Sequence, residues 1–134
     1  MTRVLVAEDD AGIRRVISLW LTRQGYEVHA AQNGREALEL FDCVRPTVLI
    51  TDVNMPEMDG LTLIDALRTQ GRDVKGIIVL TNRWDHTEIG QRLERTGVHV
   101  SPKPFSPARL AALVASITSG EGTVVETARQ EIGE

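Results

Sequence analysis

A single cysteine, Cys43, stands in 134 residues. One thiol makes no internal disulfide and no cysteine-based metal cage, and Cys43 is expected to pack near a helix end. Aromatic residues are only 4%, and no apolar run approaches the roughly 18 residues of a membrane span. The opening, Met1-Thr-Arg3 and then Val4-Leu-Val-Ala7 before a group of acids, is too short for a secretory leader, so a cytoplasmic protein without membrane contact is expected. An excess of positive charge is also missing. The net charge is −4, and from Ser119 to Glu134 four glutamates stand against one arginine. The remainder is close to neutral and has no basic stripe, which argues against direct binding of nucleic acid.

What is present is alternation. The chain is 42% hydrophobic and 25% charged, an ordinary composition for one domain with its own core. Arg3 to Ala7 reads as a strand. From Ala11 to Gln24, Ile13, Val16, Ile17, Trp20 and Leu21 recur as one apolar helical face, which puts Trp20 in the core, and Gly25 is a natural stop. Tyr26 to Ala30 is a second strand. Asn33 with Glu36 forms a capping box for a second helix, with Ala37, Leu38 and Phe41 inward and an end before Pro46. Thr47 to Thr51 is a buried central strand. After Gly60 a third helix runs to about Thr69 on Leu61, Ile64 and Leu67. Gly76 to Leu80 is a fourth strand. The fourth helix, over 85–95, is weak: Ile89 and Leu93 are its apolar positions, and Gly90 costs about 1 kcal/mol relative to alanine. Val98 to Ser101 is a fifth strand. Ser106 and Pro107 open a last helix with Leu110, Leu113, Val114 and Ile117 inward. The acidic segment 119–134 is expected to be a disordered tail beyond a domain of residues 1–118. His29 and His86 are expected at the surface and His99 part-buried, without metal-ligand spacing.

Five strand–helix units specify an α/β fold with a parallel sheet covered on both faces. Such sheets bind ligands beyond the carboxyl ends of their strands. The central strand ends in Asp52 and opens into a turn-rich stretch with Asn54, Pro56 and Gly60. Past the first strand stand Glu8, Asp9 and Asp10; past the fourth, Thr81; past the fifth, Lys103. Singly, each has an ordinary explanation: a helix cap, a β-former, a surface charge. Jointly they gather carboxylates, a hydroxyl and an ammonium at one edge. Clustered carboxylates repel unless a cation sits among them, and an all-oxygen donor set favours Mg²⁺ or Mn²⁺. Asp52 then keeps an oxygen for use as a nucleophile, while Thr81 and Lys103 suit the oxygens of an incoming phosphoryl group.

At these residues the chain resembles the response-regulator receiver domain, the CheY-like family. The resemblance covers about residues 1–118 and rests on Glu8-Asp9-Asp10, Asp52 with Asn54-Met-Pro56 and Asp59-Gly60, Thr81, and Lys103-Pro104-Phe105. From Glu8 to Asp52 is 44 residues, from there to Thr81 is 29, and 22 more lead to Lys103. The resemblance implies a flavodoxin-like, doubly wound (βα)5 fold with strand order 2-1-3-4-5. It implies a two-component signalling module that takes a phosphoryl group onto Asp52 from a histidine kinase or phosphotransfer protein. By the same resemblance Asp9, Asp52 and the Asn54 carbonyl would ligate Mg²⁺, with Glu8 acting through water and Asp10 just outside the pair as a further candidate. Thr81 would be the switch hydroxyl, Lys103 a phosphate ligand, and the bond before Pro104 cis. The output would be a protein contact through the fourth helix, fifth strand and fifth helix, in a single-domain receiver or one cut from a longer protein; a homodimer stays open.

Two positions depart from the pattern. Val100 stands where the family usually has Tyr or Phe, so no large ring couples to Thr81. Asn82 stands where a small residue is common and narrows access to the phosphoryl site; Arg83 and Trp84 follow it. Two other readings compete. A phosphatase of the haloacid-dehalogenase type would want a second Asp two residues after Asp52, and Asn54 occupies that place. A scaffold without phosphorylation leaves the full set of acids, Thr81 and Lys103 unused.

Overall fold

Five apolar segments pair in parallel in the order β2-β1-β3-β4-β5 in the computed structural model, which describes residues 2–81, 98–102 and 106–119. The strands are β1 (Arg3–Ala7), β2 (Glu27–Ala31), β3 (Val48–Asp52), β4 (Gly76–Thr81) and β5 (His99–Pro102). The helices are α1 (Ala11–Arg23), α2 (Gly34–Val44), α3 (Gly60–Thr69) and α4 (Pro107–Ser119), the last being the fifth expected from sequence. The helix expected over 85–95 and the tail beyond Ser119 lie outside the described residues.

Side chains alternate across a strand, so each strand feeds two cores. Leu5, Leu49 and Val79 face a core closed by Ala37 and Phe41 of α2 and by Leu63, Ile64 and Leu67 of α3. Val4, Val6, Val48, Ile50, Ile78 and Leu80 face the other, closed by Ile17 and Leu21 of α1 and Leu110, Val114 and Ile117 of α4. Every residue of β3 and β4 is buried, which is why these strands read as unbroken apolar runs.

The helices start where short polar side chains satisfy their free N–H groups. Asp10 accepts from the Ile13 amide at 3.0 Å, Asn33 from Glu36 at 2.8 Å and Asp59 from Thr62 at 2.8 Å. Glu36 reaches back to the Gln32 amide at 3.0 Å, one residue before the cap. Gly71 follows α3 in the left-handed region at φ +71°.

Sequence expectations for the elements hold to within about one residue, and three side-chain placements change. Leu63, missed by the Leu61–Ile64–Leu67 pattern, is fully buried, while Leu61 is half-buried. Cys43 lies next to the end of α2, as expected, but is exposed rather than packed. Trp20 is not in the core: it is 36% exposed, with Val16 at 46% and Leu19 at 52%. Two apolar stripes lie side by side on α1. Ile13, Ile17 and Leu21 point at the sheet and α4, whereas Val16 and Trp20 sit on the adjacent stripe, roughly 100° further round with each residue step, and face outward.

At the β2 edge Glu27 accepts from His29 at 2.7 Å and pairs with Arg3 at 3.5 Å. The His29 hydrogen bond, with a smaller contribution from Arg3, holds the Glu27 carboxyl below its ordinary value. A carboxyl depressed by folding adds stability above its unfolded-chain value, and that stability is lost as pH falls through the folded value. Glu27→Gln is therefore expected to flatten the acid-side fall of stability slightly, read as the urea midpoint between about pH 6 and about pH 3.

Candidate functional site

The register of the sheet brings the acids together. Ala7 of β1 pairs with Thr51 of β3, so Glu8 and Asp52 are the next residue on each strand path. Glu8 is fully buried. Its amide donates to the Ala31 carbonyl at 3.0 Å, its carbonyl accepts from Arg14 Nη1 at 2.8 Å, and its Oε2 accepts from the Asp10 amide at 3.0 Å. Asp52 is almost fully buried. Its Oδ1 accepts from the Val53 amide at 2.9 Å, and its carbonyl from Thr51 Oγ1 at 2.9 Å. Asp9 is exposed. Glu8, Asp9 and Asp52 each present a carboxylate oxygen within 4.8 Å of the others.

Three carboxylates this close repel one another, and a divalent cation among them turns the repulsion into coordination. The donors are all hard oxygens, which fits Mg²⁺ or Mn²⁺ rather than zinc. Asp10 stands apart from this group: its Oδ1 caps α1, and the same residue's amide holds Glu8. Of the three acids after β1, Glu8 and Asp9 join the cluster with Asp52, and Asp10 caps the helix.

Among the described residues, Thr81 falls on the same edge. Asp52 pairs with Leu80 across β3 and β4, so Thr81 comes one step beyond, and it is fully buried. Thr81 in turn pairs with Pro102, the residue before Lys103. Lys103, Pro104 with its expected cis bond, and Asn82 lie outside the described residues, as do Arg83, Trp84 and His86. Asn54 is exposed in the loop after Asp52. Val100 pairs with Val79 and is half-buried against the core of α2 and α3.

Sequence reasoning missed what holds the loop from Val53 to Asp59. The Gly34 amide, first in α2, donates to the Met58 carbonyl at 3.0 Å, and a Cβ on Gly34 would lie 2.3 Å from that oxygen. Glu57 adopts φ 67°, a left-handed conformation unfavourable to a residue with Cβ. Its carboxylate accepts from Asn33 Nδ2 at 3.3 Å and Arg35 Nη1 at 3.3 Å. At the far end the Gly60 amide donates to the Val53 carbonyl at 2.8 Å. The start of α2 thus straps the loop beside Asp52. The Asn33-Gly34 pair was the available signal, since a glycine directly after a cap marks close approach of backbone.

Residues 4–115 match the family model for the response regulator receiver domain. The chain is 39% identical over 124 residues to the response regulator MprA of Mycolicibacterium vanbaalenii, covering 90% of this chain and 53% of that protein. It is 32% identical over 115 residues to the regulatory protein AtoC of Escherichia coli, covering 85% of this chain and 24% of that protein. It therefore spans about half the length, or less, of these relatives. Among solved structures, the receiver domain of the Francisella response regulator 1452 superposes with a TM-score of 0.80 at 31% identity, covering 87% of this chain and 96% of that one. The chemotaxis protein CheY4 of Vibrio cholerae superposes with a TM-score of 0.78 at 34% identity, covering 87% and 98%.

Proposed function

This chain belongs to the response regulator receiver family of two-component signalling, and on that premise we propose that Asp52 is its phosphoacceptor. The observation that carries the reading is the meeting of Glu8, Asp9 and Asp52 within 4.8 Å, one strand away from the buried Thr81. A histidine kinase or phosphotransfer protein is the donor. An Asp52 carboxylate oxygen attacks phosphorus, a P–O bond forms, and the P–N bond of the donor's phosphohistidine breaks with its electron pair leaving on the imidazole nitrogen. The other ring nitrogen of the phosphohistidine carries a proton, so the imidazole departs neutral and the phosphoryl charge passes to the Asp52 acyl phosphate.

Each residue has a task in that step. The Val53 amide fixes one Asp52 oxygen, which aims the carboxylate. Thr81 offers a hydroxyl to a phosphoryl oxygen, and Lys103 an ammonium to another. Glu8, Asp9 and Asp52 would hold Mg²⁺, with the Asn54 carbonyl, and the ion would neutralise charge on the phosphoryl oxygens. Turnover on an external substrate is not proposed: Asn54 follows Asp52 by two residues and has no proton to give or take as a general acid or base. The output is a protein contact on the face of β5 and α4 together with residues 85–95. Val100 in place of a large aromatic ring means that this output is not read through a swinging side chain at that position.

The test is labelling by acetyl phosphate with Mg²⁺. One acid- and alkali-labile phosphoryl group per chain is expected, and Asp52→Asn should abolish it. Labelling that survives Asp52→Asn refutes the assignment.

A further inference from the structure

The outward stripe of α1 is not an ordinary solvated face. Gly12, Arg15, Val16, Leu19, Trp20 and Arg23 follow one another at i, i+3, i+4, i+7, i+8 and i+11, and all are exposed. Three of them are the large apolar residues exposed on this helix, Val16, Leu19 and Trp20. Between Ala11 and Arg23 there are three arginines and no acid. The helix therefore shows solvent an apolar strip with arginines at both ends. Isolated exposed apolar residues need no explanation, but a contiguous strip rimmed by charge marks a binding surface.

The complementary pattern lies in the same chain. In residues 120–134, Val124, Val125, Ala128 and Ile132 recur at i, i+1, i+4 and i+8, one face of a helix. Glu121, Glu126, Glu131 and Glu134 stand against Arg129 alone, so this segment is as negative as α1 is positive. We propose that residues 120–134 dock on the outward stripe of α1, setting Val124, Val125 and Ile132 against Val16, Leu19 and Trp20 and the glutamates toward Arg15 and Arg23.

The fold places the segment where it can do this. α4 and α1 share one core, with Ile17 and Leu21 packed with Leu110, Val114 and Ile117. Both end at the amino edge of the sheet. At that edge Lys75 Nζ donates to the Thr118 carbonyl at 3.4 Å, and the Tyr26 amide, just before β2, donates to Leu21 of α1 at 3.2 Å. Packed helix axes lie about 8–10 Å apart. Gly120 to Thr123, extended, cover about 14 Å, and a ten-residue helix covers about 15 Å, comparable to α1. Gly120 and Gly122 let the chain reverse. Attachment to α4 gives an effective concentration in the millimolar range, so a weak contact suffices. A second copy of α1 fits less well, because pairing two such stripes opposes arginine to arginine.

Trp20 reports the contact. The sequence has two tryptophans, so Trp84→Phe in the full chain leaves Trp20 as the sole emitter. In that background, Val124→Ser with Val125→Ser and Ile132→Ser is expected to shift Trp20 emission to the red and speed its quenching by acrylamide. Salt near 1 M, where the Debye length is about 3 Å, should move both in the same direction. Arg15→Glu with Arg23→Glu should do likewise, and Glu121→Lys with Glu126→Lys and Glu131→Lys on that chain should reverse it. Arg15 and Arg23 are exposed on α1 and the tail positions lie beyond α4, so these substitutions leave the two cores untouched. Identical emission and quenching with and without the three tail serines overturns the proposal. So does a Trp20 signal that depends on protein concentration, which would mean contact between copies.

Discussion

Gly60→Ala is expected to destabilise the fold and to stop phosphorylation at once. A Cβ on Gly60 would lie 2.1 Å from the Asp52 carbonyl oxygen and 3.1 Å from its carbonyl carbon. These are backbone atoms of a buried strand end, so no flexible side chain can move aside. Either α3 withdraws, breaking the 2.8 Å bond from the Gly60 amide to Val53, or the Asp52 peptide turns. Overpacking of this kind costs about 1–3 kcal/mol or more. Turning the Asp52 peptide also takes its carboxylate out of line with Glu8 and Asp9. The check is a urea midpoint together with acetyl-phosphate labelling normalised to folded protein. Gly71→Ala is the control: nothing lies within 4 Å of its Cβ position, and only its φ of +71° resists substitution, a cost of about 1 kcal/mol. That variant should lose stability and keep full labelling. Normal labelling in folded Gly60→Ala would show that the close approach does not position Asp52.

Asp9→Asn should have opposite effects on stability and on function. Without a cation, Asp9 lies within 4.8 Å of the Glu8 and Asp52 carboxylates. Two like charges at that distance repel by about 1 kcal/mol in water and about 3 kcal/mol at an effective dielectric of about 20. Asp9 is exposed, so each repulsion lies near the lower figure, and neutralising Asp9 should raise the melting temperature in EDTA. The unsubstituted chain should gain stability on adding Mg²⁺, by about 2.7 kcal/mol at one hundred times its dissociation constant. Asp9→Asn should lose most of that gain, and labelling from acetyl phosphate should fall by about 10²-fold, the scale of one electrostatic partner. Thermal unfolding in EDTA and in Mg²⁺, with and without the substitution, reads all of this. A variant less stable in EDTA with an undiminished Mg²⁺ response would remove Asp9 from the cation site.

Much of the site was legible because a parallel sheet obeys a simple rule. Every strand runs the same way, so the residue past each strand end arrives at one edge. Glu8, Asp52 and Thr81 could be placed together from strand ends alone, and the register of β1, β3 and β4 puts them there. Helix starts were legible for a local reason. A cap such as Asn33 acts within three residues of itself, so neighbours in sequence carry the information.

Other features depended on contacts between distant segments. By sequence Asp10 could be a ligand or a cap; in the fold it caps α1 through the Ile13 amide, while Glu8, Asp9 and Asp52 cluster. The strap of Asn33, Gly34 and Arg35 on Glu57 and Met58 joins residues about two dozen apart, and no periodicity records such a contact. For α1, the amino-acid pattern determined a helix with apolar residues at Ile13, Val16, Ile17, Trp20 and Leu21, and no more than that. Which stripe is core depended on where the sheet and α4 lie. They cover Ile17 and Leu21 and leave Val16, Leu19 and Trp20 in solvent. Hydrophobicity specifies that a surface gains by being covered; only the arrangement of neighbouring elements decides which surface is.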